Sequence, residues 1–378
     1  MVKIAVVVGA RPNFMKAVPI WNSLCSRLPI EQLFFIHTGQ HYSHSLSQVF
    51  IDELKLNINN IIYLDKYSNE SYPKNSVVRG MSWIIRNLSD LFIKEKIDKV
   101  IVFGDVNSTL AAGLAAAMND LFLIHIESGL RSYNMKMPEE RNRVLVDKMS
   151  DLLFTTEFSA KDNLSKEGIN KGVHHCGNTM IDTLSKYMSK IKYSNHYLNF
   201  KVERLKYVVF TLHRQENVEN KKLLEKVILN VKKLLIKLGS EHKILFITHP
   251  RTVIRLKDFN INTDGIDMIK SQCYFHMLNL VYNCGILLTD SGGLQEESAY
   301  LGVPCVTLRE NTERPVTVTK GYNSIIQPAS DTFNIDFMAD VFKKYGKRKD
   351  DLQELVKEMG DGKSSDKIVD LILGVSFD

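Results

Sequence analysis

Short apolar runs of strand length recur along the chain, and each is followed by a polar or glycine-containing turn and a longer segment with helical spacing. This alternation is typical of βαβ units, which place their strands in a parallel sheet. In the first half the runs predict strands at Lys3 to Val8, Gln32 to His37, Lys99 to Phe103, Phe122 to Ile126 and Leu152 to Thr155. In the second half they predict strands at Tyr207 to Leu212, Ile244 to Thr248, Gly285 to Thr289 and Pro304 to Thr307. The pattern therefore predicts an α/β protein.

The length of the chain, 378 residues, favours two domains, because a single domain usually has about 150 residues. We expect each half to form a doubly wound α/β domain with a parallel sheet. Glycines and a short strand interrupt the helical segments near Gly168 to Gly177, and we place the domain boundary there, between residues 170 and 171. The second domain then covers residues 171–361, and residues 362–378 form a terminal helix.

The composition excludes several classes of protein. Hydrophobic residues at 44% and charged residues at 24% are ordinary for a globular protein and exclude disordered, collagenous and coiled-coil chains. No apolar run reaches the roughly 18 residues of a membrane span, so we expect no membrane insertion. The net charge of +6 is spread along the chain without a dense basic block, which disfavours nucleic acid and leaves an anionic small ligand open.

The five cysteines form no CxxC pair and no cluster at zinc spacing, which predicts a reducing cytoplasm and no structural metal. Gly362-Lys363-Ser364 lacks the first glycine of a P-loop and follows no strand, so ATP is disfavoured. No GxGxxG motif opens the first βα unit, which weakens a nicotinamide cofactor without excluding it.

Polar residues follow the predicted strands of the first half, where ligands bind in open α/β sheets. Arg11 and Lys16 follow the first strand and could face an anion, or they could simply be solvated cations at a helix start. Asp105 follows the third strand and could instead cap the next helix. Glu127 follows the fourth strand and has no such structural role, whereas Glu139 lies where it could merely complement a helix dipole.

The second half has polar residues at the same positions. His213 and Arg214 follow a strand, although a single histidine is more often structural. A small-residue turn, Ser291 to Gly293, opens a helix, and its N–H groups would suit a phosphate. Arg309 and Arg314 follow the next strand and add cations.

Taken in this order, the motifs resemble those of the non-hydrolysing UDP-N-acetylglucosamine 2-epimerase family. The matching segments span residues 9 to 315: GARPNFMK, HTGQH, GDVNSTLAA, HIESGLRS, MPEERNR, GNTMID, LHRQEN, THPR, DSGGLQEE and TERP. The resemblance implies a GT-B-like fold, in which two Rossmann-type domains face each other across a cleft and the terminal helix returns to the first domain. It also implies a cytoplasmic homodimer without a cofactor.

The resemblance implies a reaction as well: inversion of C2 of UDP-GlcNAc by elimination of UDP, formation of 2-acetamidoglucal and re-addition of UDP. The product, UDP-ManNAc, would serve as a precursor of cell-surface polysaccharides. Residue by residue, the catalytic positions of the family correspond to Asp105, Glu127, Glu139 and His213. Positions near the diphosphate, sugar and ribose correspond to Arg11, Lys16, Arg214, Ser291, Gly292, Gly293, Glu297 and Arg314.

Two segments depart from the family pattern. Met277 stands where the family has an aromatic residue near uracil, which puts base stacking in doubt. The loop Gln40 to Phe50 lacks the methionine of a Gln-His-x-x-Met motif and has one extra residue, which predicts loss of a second, activating UDP-GlcNAc site. The alternative is a harmless loop variation for which Gln40 and His41 alone compensate.

Alternative functions keep part of this chemistry. The same epimerisation of UDP-2,3-diacetamido-glucuronic acid would need an extra cation near C6, and a hydrolysing epimerase fits the GARPNFMK segment less well. A GT-B glycosyltransferase would need an acceptor but not three carboxylates, and a UDP-sugar binding protein would be expected to have lost a catalytic carboxylate.

Overall fold

The computed structural model describes residues 1–40, 61–68, 70–73, 75–330, 335–344 and 353–374. Residue contacts divide the chain into two units. The first unit is Met1–Lys186 with Lys357–Asp378, and the second unit is Tyr187–Val356. None of the described helices is long and apolar enough to cross a membrane.

The first unit contains a seven-stranded sheet in the order β3-β2-β1-β4-β5-β6-β7. Every neighbouring pair of its strands is parallel. The strands are β1 (Ile4–Val8), β2 (Leu33–His37), β3 (Ile61–Tyr63), β4 (Lys99–Phe103), β5 (Phe122–Ser128), β6 (Leu152–Thr155) and β7 (Val173–His175). The central strands are buried along their whole length, as expected for a sheet with helices on both faces.

The first unit also contains α1 (Arg11–Cys25), α2 (Leu64–Ser68), α3 (Val77–Glu95), α4 (Asn107–Ala117), α5 (Pro138–Met149), α6 (Phe158–Lys166) and α7 (Thr179–Lys186). A short 3₁₀ turn, Ile30–Gln32, precedes β2. Helix α4 is rich in alanine, and Ala111, Ala112, Ala115 and Ala116 are buried. These small side chains allow the helix to lie close to α3, α5 and the sheet, which places its N-terminus at the end of β4.

The second unit contains a six-stranded parallel sheet in the order β10-β9-β8-β11-β12-β13. Its strands are β8 (Tyr207–Phe210), β9 (Lys243–Thr248), β10 (Asp267–Lys270), β11 (Ile286–Thr289), β12 (Cys305–Leu308) and β13 (Asn323–Ile326). Its helices are α8 (Met188–Tyr193), α9 (Gln215–Val218), α10 (Lys221–Leu238), α11 (Pro250–Asp258), α12 (Tyr274–Asn283), α13 (Gly292–Tyr300), α14 (Pro315–Thr319) and α15 (Ile335–Lys344). Helices α16 (Gln353–Met359) and α17 (Ser364–Gly374) follow.

The structure confirms the predicted class, two doubly wound parallel-sheet α/β domains. All nine predicted strands are present, and the sequence pattern missed β3, β10 and β13. The short strand expected near the domain boundary is β7, which pairs with β6. The contacts therefore place residues 171–186, expected in the second domain, in the first unit.

Helix α17 packs against α1 of the first unit, and Ile368, Val369 and Ile372 join the core below the sheet. Lys99 Nζ donates a 2.7 Å hydrogen bond to the carbonyl oxygen of Ile372, near the C-terminus of α17. At the other end of α17, the carboxylate of Asp182 accepts from the N–H groups of Ser364 and Ser365 at 3.1 and 2.6 Å. Both ends of the terminal helix are thus held by the first unit.

Candidate active site

Strand order reverses between β1 and β4 in the first unit and between β8 and β11 in the second. In open α/β sheets such a switch point opens a crevice at the carboxyl ends of the strands, where ligands bind. In the first unit, α1 and the Gly104–Asp105 turn begin at this point, and Glu127 lies on the next strand. In the second unit, His213 and Asp290 follow the two switch strands. The predicted residues therefore cluster at the edge where each unit can bind a ligand.

Glu127 lies near the end of β5 with a φ of +69°, a left-handed conformation that is uncommon for a residue with a side chain. The register with β6 shifts between Ile126 and Ser128, so the strand bulges at Glu127. Its carboxylate is only 4% exposed and forms an ion pair with Lys16 Nζ. Strained backbone of this kind is often found at functional sites, where the fold directs a side chain.

Asp105 lies one strand away, directly after β4 and Gly104. Its carboxylate forms an ion pair with the buried guanidinium of Arg143, and its carbonyl oxygen accepts a 2.8 Å hydrogen bond from Asn142. The alternative that Asp105 caps α4 is wrong, because Val106 is the N-cap residue. The N–H of Ser108 instead donates to Gln40 Oε1 at 2.7 Å.

Gly104 has a φ of +61°, which favours glycine. A Cβ atom at this position would lie 3.1 Å from Lys16 Nζ and 3.8 Å from Glu127 Oε1. The absence of a side chain therefore leaves space for the Lys16–Glu127 pair beside Asp105.

Glu139 is half-buried in the first turn of α5, and it makes no ion pair with any residue that the structure describes. The next residue, Glu140, is fully engaged. Its carboxylate accepts from the backbone N–H groups of Ser132 and Tyr133 at 2.9 and 2.8 Å and lies 2.7 Å from Arg143 Nη1. Glu140 therefore orders the preceding loop and orients Arg143 towards Asp105.

Below Asp105 and Glu127 lies a buried ionic network that the sequence did not reveal. His125 Nδ1 lies 2.7 Å from Asp147 Oδ1, and Asp147 Oδ2 lies 2.7 Å from Arg131 Nη1. Arg131 in turn forms two 2.7 Å hydrogen bonds with Glu167. Burial raises the pKa of Asp147, but His125 and Arg131 outweigh it, and the carboxyl pKa is lowered.

At the start of α1, Asn13 accepts from the N–H groups of Gly9 and Ala10 and donates to the Phe103 carbonyl oxygen at 3.0 Å. This side chain ties the turn after β1 to the end of β4. The backbone of Arg11 begins α1, whereas its side chain, and residues 41–60, lie outside the described part of the structure.

His213 and Asp290 form the central pair of the second unit. His213 Nδ1 lies 2.9 Å from Asp290 Oδ1, and the Asp290 carboxylate accepts from the N–H groups of His213 and Arg214 and from Asn217. Burial raises the pKa of Asp290, but the charge and hydrogen bonds of His213 lower it more. Asp290 is fully buried while the His213 side chain is 40% exposed, so the carboxylate orients a ring that faces solvent.

Two arginines share one buried carboxylate beside this pair. Glu313 Oε2 lies 2.7 Å from Arg309 Nη1, and Glu313 Oε1 lies 3.3 Å from Arg214 Nη2. Burial lowers the pKa of Arg309 although Glu313 opposes this effect. One carboxylate with two guanidiniums leaves a net positive charge that could attract an anionic ligand.

Helix α13 begins next to these cations. Ser291 is its N-cap residue, and Gly292 and Gly293 form its first turn, so N–H groups are available for an anion. A Cβ atom on Gly292 would lie 3.2 Å from Glu313 Oε1, which favours glycine there. Glu297, expected near the ribose, is buried on the same helix.

The Arg314 side chain is buried and forms an ion pair with a residue of α13. Its Nε lies 2.8 Å from Glu296 Oε1, and both side chains are buried. The expected sugar-binding cation therefore has a fixed position in this unit.

The segment expected near uracil forms the start of α12. Met277 is buried with its neighbours Tyr274 and Phe275, so it packs in the core. His276 is exposed, and its ring stacks on His196 with centroids 3.7 Å apart. An aromatic surface is therefore present one residue before the position at which the family pattern has it.

The described residues form no candidate metal site, and the thiols of Cys176 and Cys305 are not acidic. Over these ranges no group of three or more His, Cys, Asp or Glu side chains could hold a metal ion. Burial raises the pKa of Cys176 to about 11 and that of Cys305 to about 12, so both remain thiols at neutral pH.

The structure thus brings Lys16, Asp105 and Glu127 together in the first unit, and His213, Arg214 and the start of α13 together in the second. Sequence reasoning missed the partners that orient these groups: His125, Arg143 and Asp147 in the first unit, and Asp290, Glu296 and Glu313 in the second. Asp290 could have been found, because it directly follows a strand at the carboxyl edge of its sheet. The others depend on contacts with residues that are distant in sequence.

The chain is similar in sequence to known proteins. Residues 25–373 match the family model of UDP-N-acetylglucosamine 2-epimerase. A UDP-N-acetylglucosamine 2-epimerase of Methanococcus maripaludis is 36% identical over 99% of this chain and 99% of its own. A UDP-2,3-diacetamido-2,3-dideoxy-D-glucuronate 2-epimerase of Pseudomonas aeruginosa is 32% identical over 87% of this chain and 89% of its own.

Similarity extends to solved structures. The crystal structure of Methanocaldococcus jannaschii UDP-GlcNAc 2-epimerase in complex with UDP-GlcNAc and UDP is similar with a TM-score of 0.84 and 33% identity. The match covers 98% of this chain and 99% of that one.

Proposed function

This chain belongs to the UDP-N-acetylglucosamine 2-epimerase family of isomerases, and from that membership we propose that it interconverts UDP-GlcNAc and UDP-ManNAc. In the proposed reaction the C2–H and C1–O bonds of the sugar break, UDP leaves and 2-acetamidoglucal forms. C2 is then protonated on the opposite face and UDP adds again to C1. The C2–H electron pair becomes the C1–C2 double bond and the C1–O pair leaves with UDP, so no redox cofactor is consumed.

The observation that carries this proposal is the pair of carboxylates, Asp105 directly after β4 and Glu127 near the end of the adjacent strand β5, beside the switch point of the first unit. The C2 proton has no neighbouring carbonyl group to acidify it. Its removal therefore needs a positioned base while positive charge develops at C1 and UDP departs. Carboxylates can take and return protons and can stabilise that positive charge.

Lys16 is proposed to hold Glu127 in position, because its ammonium group forms an ion pair with the buried carboxylate. Glu139 is the third candidate carboxylate, and its half-buried position without an ion pair to a described residue leaves it available for substrate.

In the second unit, His213 is proposed as the catalytic histidine. Asp290 orients the ring through Nδ1, which leaves Nε2 for substrate or the leaving group. The diphosphate is proposed to bind the N–H groups at Ser291 to Gly293, with Arg214, Arg314, Arg11 and Lys16 as cations near the diphosphate and sugar and Glu297 at the ribose. Helix N-termini and arginines stabilise the negative charge that develops on departing UDP.

Incubation of the purified protein with UDP-GlcNAc in deuterated water, followed by proton NMR, tests the reaction directly. We expect UDP-ManNAc with solvent deuterium at C2, formed without added metal or NAD. Inversion with complete retention of the C2 proton would contradict elimination and re-addition. A strict need for NAD would point instead to oxidation at C3 or C4.

Variants test the proposed roles. Glu127→Gln, Asp105→Asn and Glu139→Gln retain size but remove a base, and each should lower turnover by about 10² to 10⁴. Glu31→Gln, an exposed carboxylate before β2 in the same unit, is the control and should keep wild-type turnover. Release of 2-acetamidoglucal by some variants would locate their defect in the second half of the reaction.

UDP-2,3-diacetamido-2,3-dideoxy-D-glucuronate is the alternative substrate, because a relative from Pseudomonas aeruginosa is a 2-epimerase of that nucleotide sugar. Its C6 carboxylate would need a cation in the sugar subsite. We propose UDP-GlcNAc as the substrate, and parallel kinetics with both nucleotide sugars decide between them. A higher kcat/KM for the diacetamido sugar would overturn the choice.

We further propose that the enzyme is a cytoplasmic homodimer that supplies cell-surface polysaccharide synthesis. All five cysteines are free thiols, which supports a reducing compartment. Light scattering after size-exclusion chromatography tests the dimer.

We also propose that the chain lacks the activating second site. The proposal rests on the sequence of the Gln40 to Phe50 loop, which lacks the methionine of the motif and has one extra residue; residues 41–50 lie outside the described residues. Pure UDP-ManNAc should therefore be converted without a lag, and a lag abolished by trace UDP-GlcNAc would contradict this.

A further inference from the structure

His125 is a buried histidine whose two ring nitrogens both face oxygen acceptors. Nδ1 lies 2.7 Å from Asp147 Oδ1, and Nε2 lies 2.8 Å from the carbonyl oxygen of Gly104. A neutral imidazole has one N–H donor and one lone pair, so it could satisfy only one of these acceptors. The lone pair of the other ring nitrogen would then face an oxygen lone pair at hydrogen-bond distance. Water cannot relieve this contact, because the side chains of His125 and Asp147 have no exposed surface.

Protonation of Asp147 could in principle supply the missing hydrogen. However, Asp147 Oδ2 also accepts from the N–H of Gly129 at 3.1 Å and faces Arg131 Nη1 at 2.7 Å. These donors favour the ionised carboxylate. The hydrogen between the two residues therefore belongs to His125 Nδ1, and the hydrogen towards Gly104 belongs to Nε2.

The surrounding charges agree with a histidinium. The network contains two carboxylates, Asp147 and Glu167, and one arginine, Arg131. A neutral His125 would leave one uncompensated negative charge in the network, whereas a protonated His125 makes it neutral. The Glu167 side chain is 26% exposed, so this balance only adds to the assignment that the two acceptors of His125 already make. Towards the same edge, Glu127 pairs with Lys16, and Arg143 is shared by Asp105 and Glu140.

The acceptor on the upper side of His125 is part of the candidate active site. Gly104 donates its N–H to the Ile126 carbonyl oxygen at 2.9 Å and accepts from His125 through its own carbonyl oxygen. His125 and Ile126, which are consecutive in β5, thus bind the carbonyl oxygen and the N–H of Gly104. Asp105 directly follows this glycine, and Glu127 directly follows His125 and Ile126 on β5.

We propose that His125 is a positioning residue whose two ring nitrogens both donate, to Asp147 and to the carbonyl oxygen of Gly104, and which thereby sets the position of Asp105 relative to Glu127. The positioning role rests on the proposed epimerase function, whereas the protonation state does not. His125 itself is not a proton donor to substrate, because both of its N–H groups are engaged and its ring is buried.

Nitrogen-15 NMR of histidine-labelled wild-type protein tests the protonation state without any assay of activity. His125→Gln identifies the resonance by its loss. We expect both ring nitrogens to carry a hydrogen at pH 7, because both face oxygen acceptors. A single protonated nitrogen at pH 7 would overturn the proposal.

Kinetics of two variants test the positioning role. His125→Gln keeps a donor for Gly104, whereas His125→Phe keeps only a ring. We expect kcat to fall by about tenfold for Gln and about a hundredfold for Phe, because small displacements of catalytic groups have effects of this size. UDP affinity should change less than about twofold, since the proposed phosphate contacts are in the second unit.

His174→Gln, a half-buried histidine on β7 of the same unit, is the matched control and should leave kcat unchanged. Folded His125 variants with wild-type kcat would leave only a structural role and overturn the proposal. If the variants do not fold, the wild-type NMR experiment still decides the protonation state. If wild-type protein fails to epimerise any UDP-sugar in deuterated water, the proposed function fails, and the NMR result separates that failure from an error about His125.

Discussion

Each unit contains a histidine paired with a buried aspartate at the carboxyl edge of its sheet, but the two pairs differ in exposure. The nitrogen–oxygen distances are similar, 2.7 Å for His125–Asp147 and 2.9 Å for His213–Asp290. Both aspartates have a lowered carboxyl pKa. The His125 side chain is fully buried, whereas 40% of the His213 side chain is exposed.

This difference in exposure assigns different tasks to the same pair of residue types. His125 uses both ring nitrogens within the protein, so it can hold backbone but cannot exchange a proton with a ligand. His213 uses Nδ1 for Asp290, and its Nε2 makes no hydrogen bond with a residue in the described ranges. Proton exchange requires access, so only the second pair is suited to acid–base chemistry.

The largest expected difference between the two histidines is in the effect of their substitution on kcat. His213→Gln should lower kcat by about 10² to 10⁴ with little effect on thermal stability, because a proton-transfer group is lost from an exposed position. His242→Gln, a half-buried histidine of the same unit between α10 and β9, is the control and should keep wild-type kcat. If His125→Gln lowered kcat more than His213→Gln, the assignment of tasks would be reversed.

The opposite order is expected for stability. Asp147→Ala leaves His125 and Arg131 as buried cations without their carboxylate and should lower the free energy of unfolding by about 3–5 kcal/mol. Asp290→Ala leaves buried N–H donors of His213, Arg214 and Asn217 unsatisfied and should cost about 1–3 kcal/mol. Denaturant unfolding of the two variants checks the ranking, and a larger loss for Asp290→Ala would contradict it.

The lowered carboxyl pKa of Asp290 also predicts how the stability of the protein depends on pH. A carboxyl group whose folded pKa lies below its usual 3.8 contributes stability above that pH, and the contribution is lost as the pH falls towards the folded pKa. The stability advantage of wild type over Asp290→Asn should therefore decrease as the pH falls below about 4. Thermal unfolding as a function of pH measures this, and an advantage that grew below pH 4 would mean that the pKa is raised.

The smallest effect is expected at a glycine beside the first pair. Gly104→Ala should cost about 1–2 kcal/mol of stability for its left-handed backbone and should also displace Lys16, lowering kcat about tenfold. Gly168→Ala has the same backbone penalty with a φ of +80°, but among the described residues, apart from its two chain neighbours, no atom lies within 4 Å of the new Cβ. This control should lose similar stability and no activity, so equal kcat values for the two variants would exclude the close contact as the cause.

The central strands of both sheets, and the polar residues that follow them, can be predicted from the pattern of the sequence. Central parallel strands are buried on both faces, so they appear as short continuous apolar runs that pattern analysis detects. The strands that were missed, β3, β10 and β13, all lie at sheet edges and are partly or largely exposed. Their sequences carry only a weak apolar pattern, because one side of an edge strand has no neighbour to pack against.

Which of these polar residues come into contact cannot be predicted from local sequence pattern. The positions of Asp105, Glu127 and His213 follow from where strands end, which is a local property of the sequence. Their partners Arg143, Lys16 and Asp290 come from other βα units, and strand order brings them together at a switch point. Periodicity along a chain records which face of an element is buried, but ion pairs between elements depend on distances that exist only after the sheets have assembled.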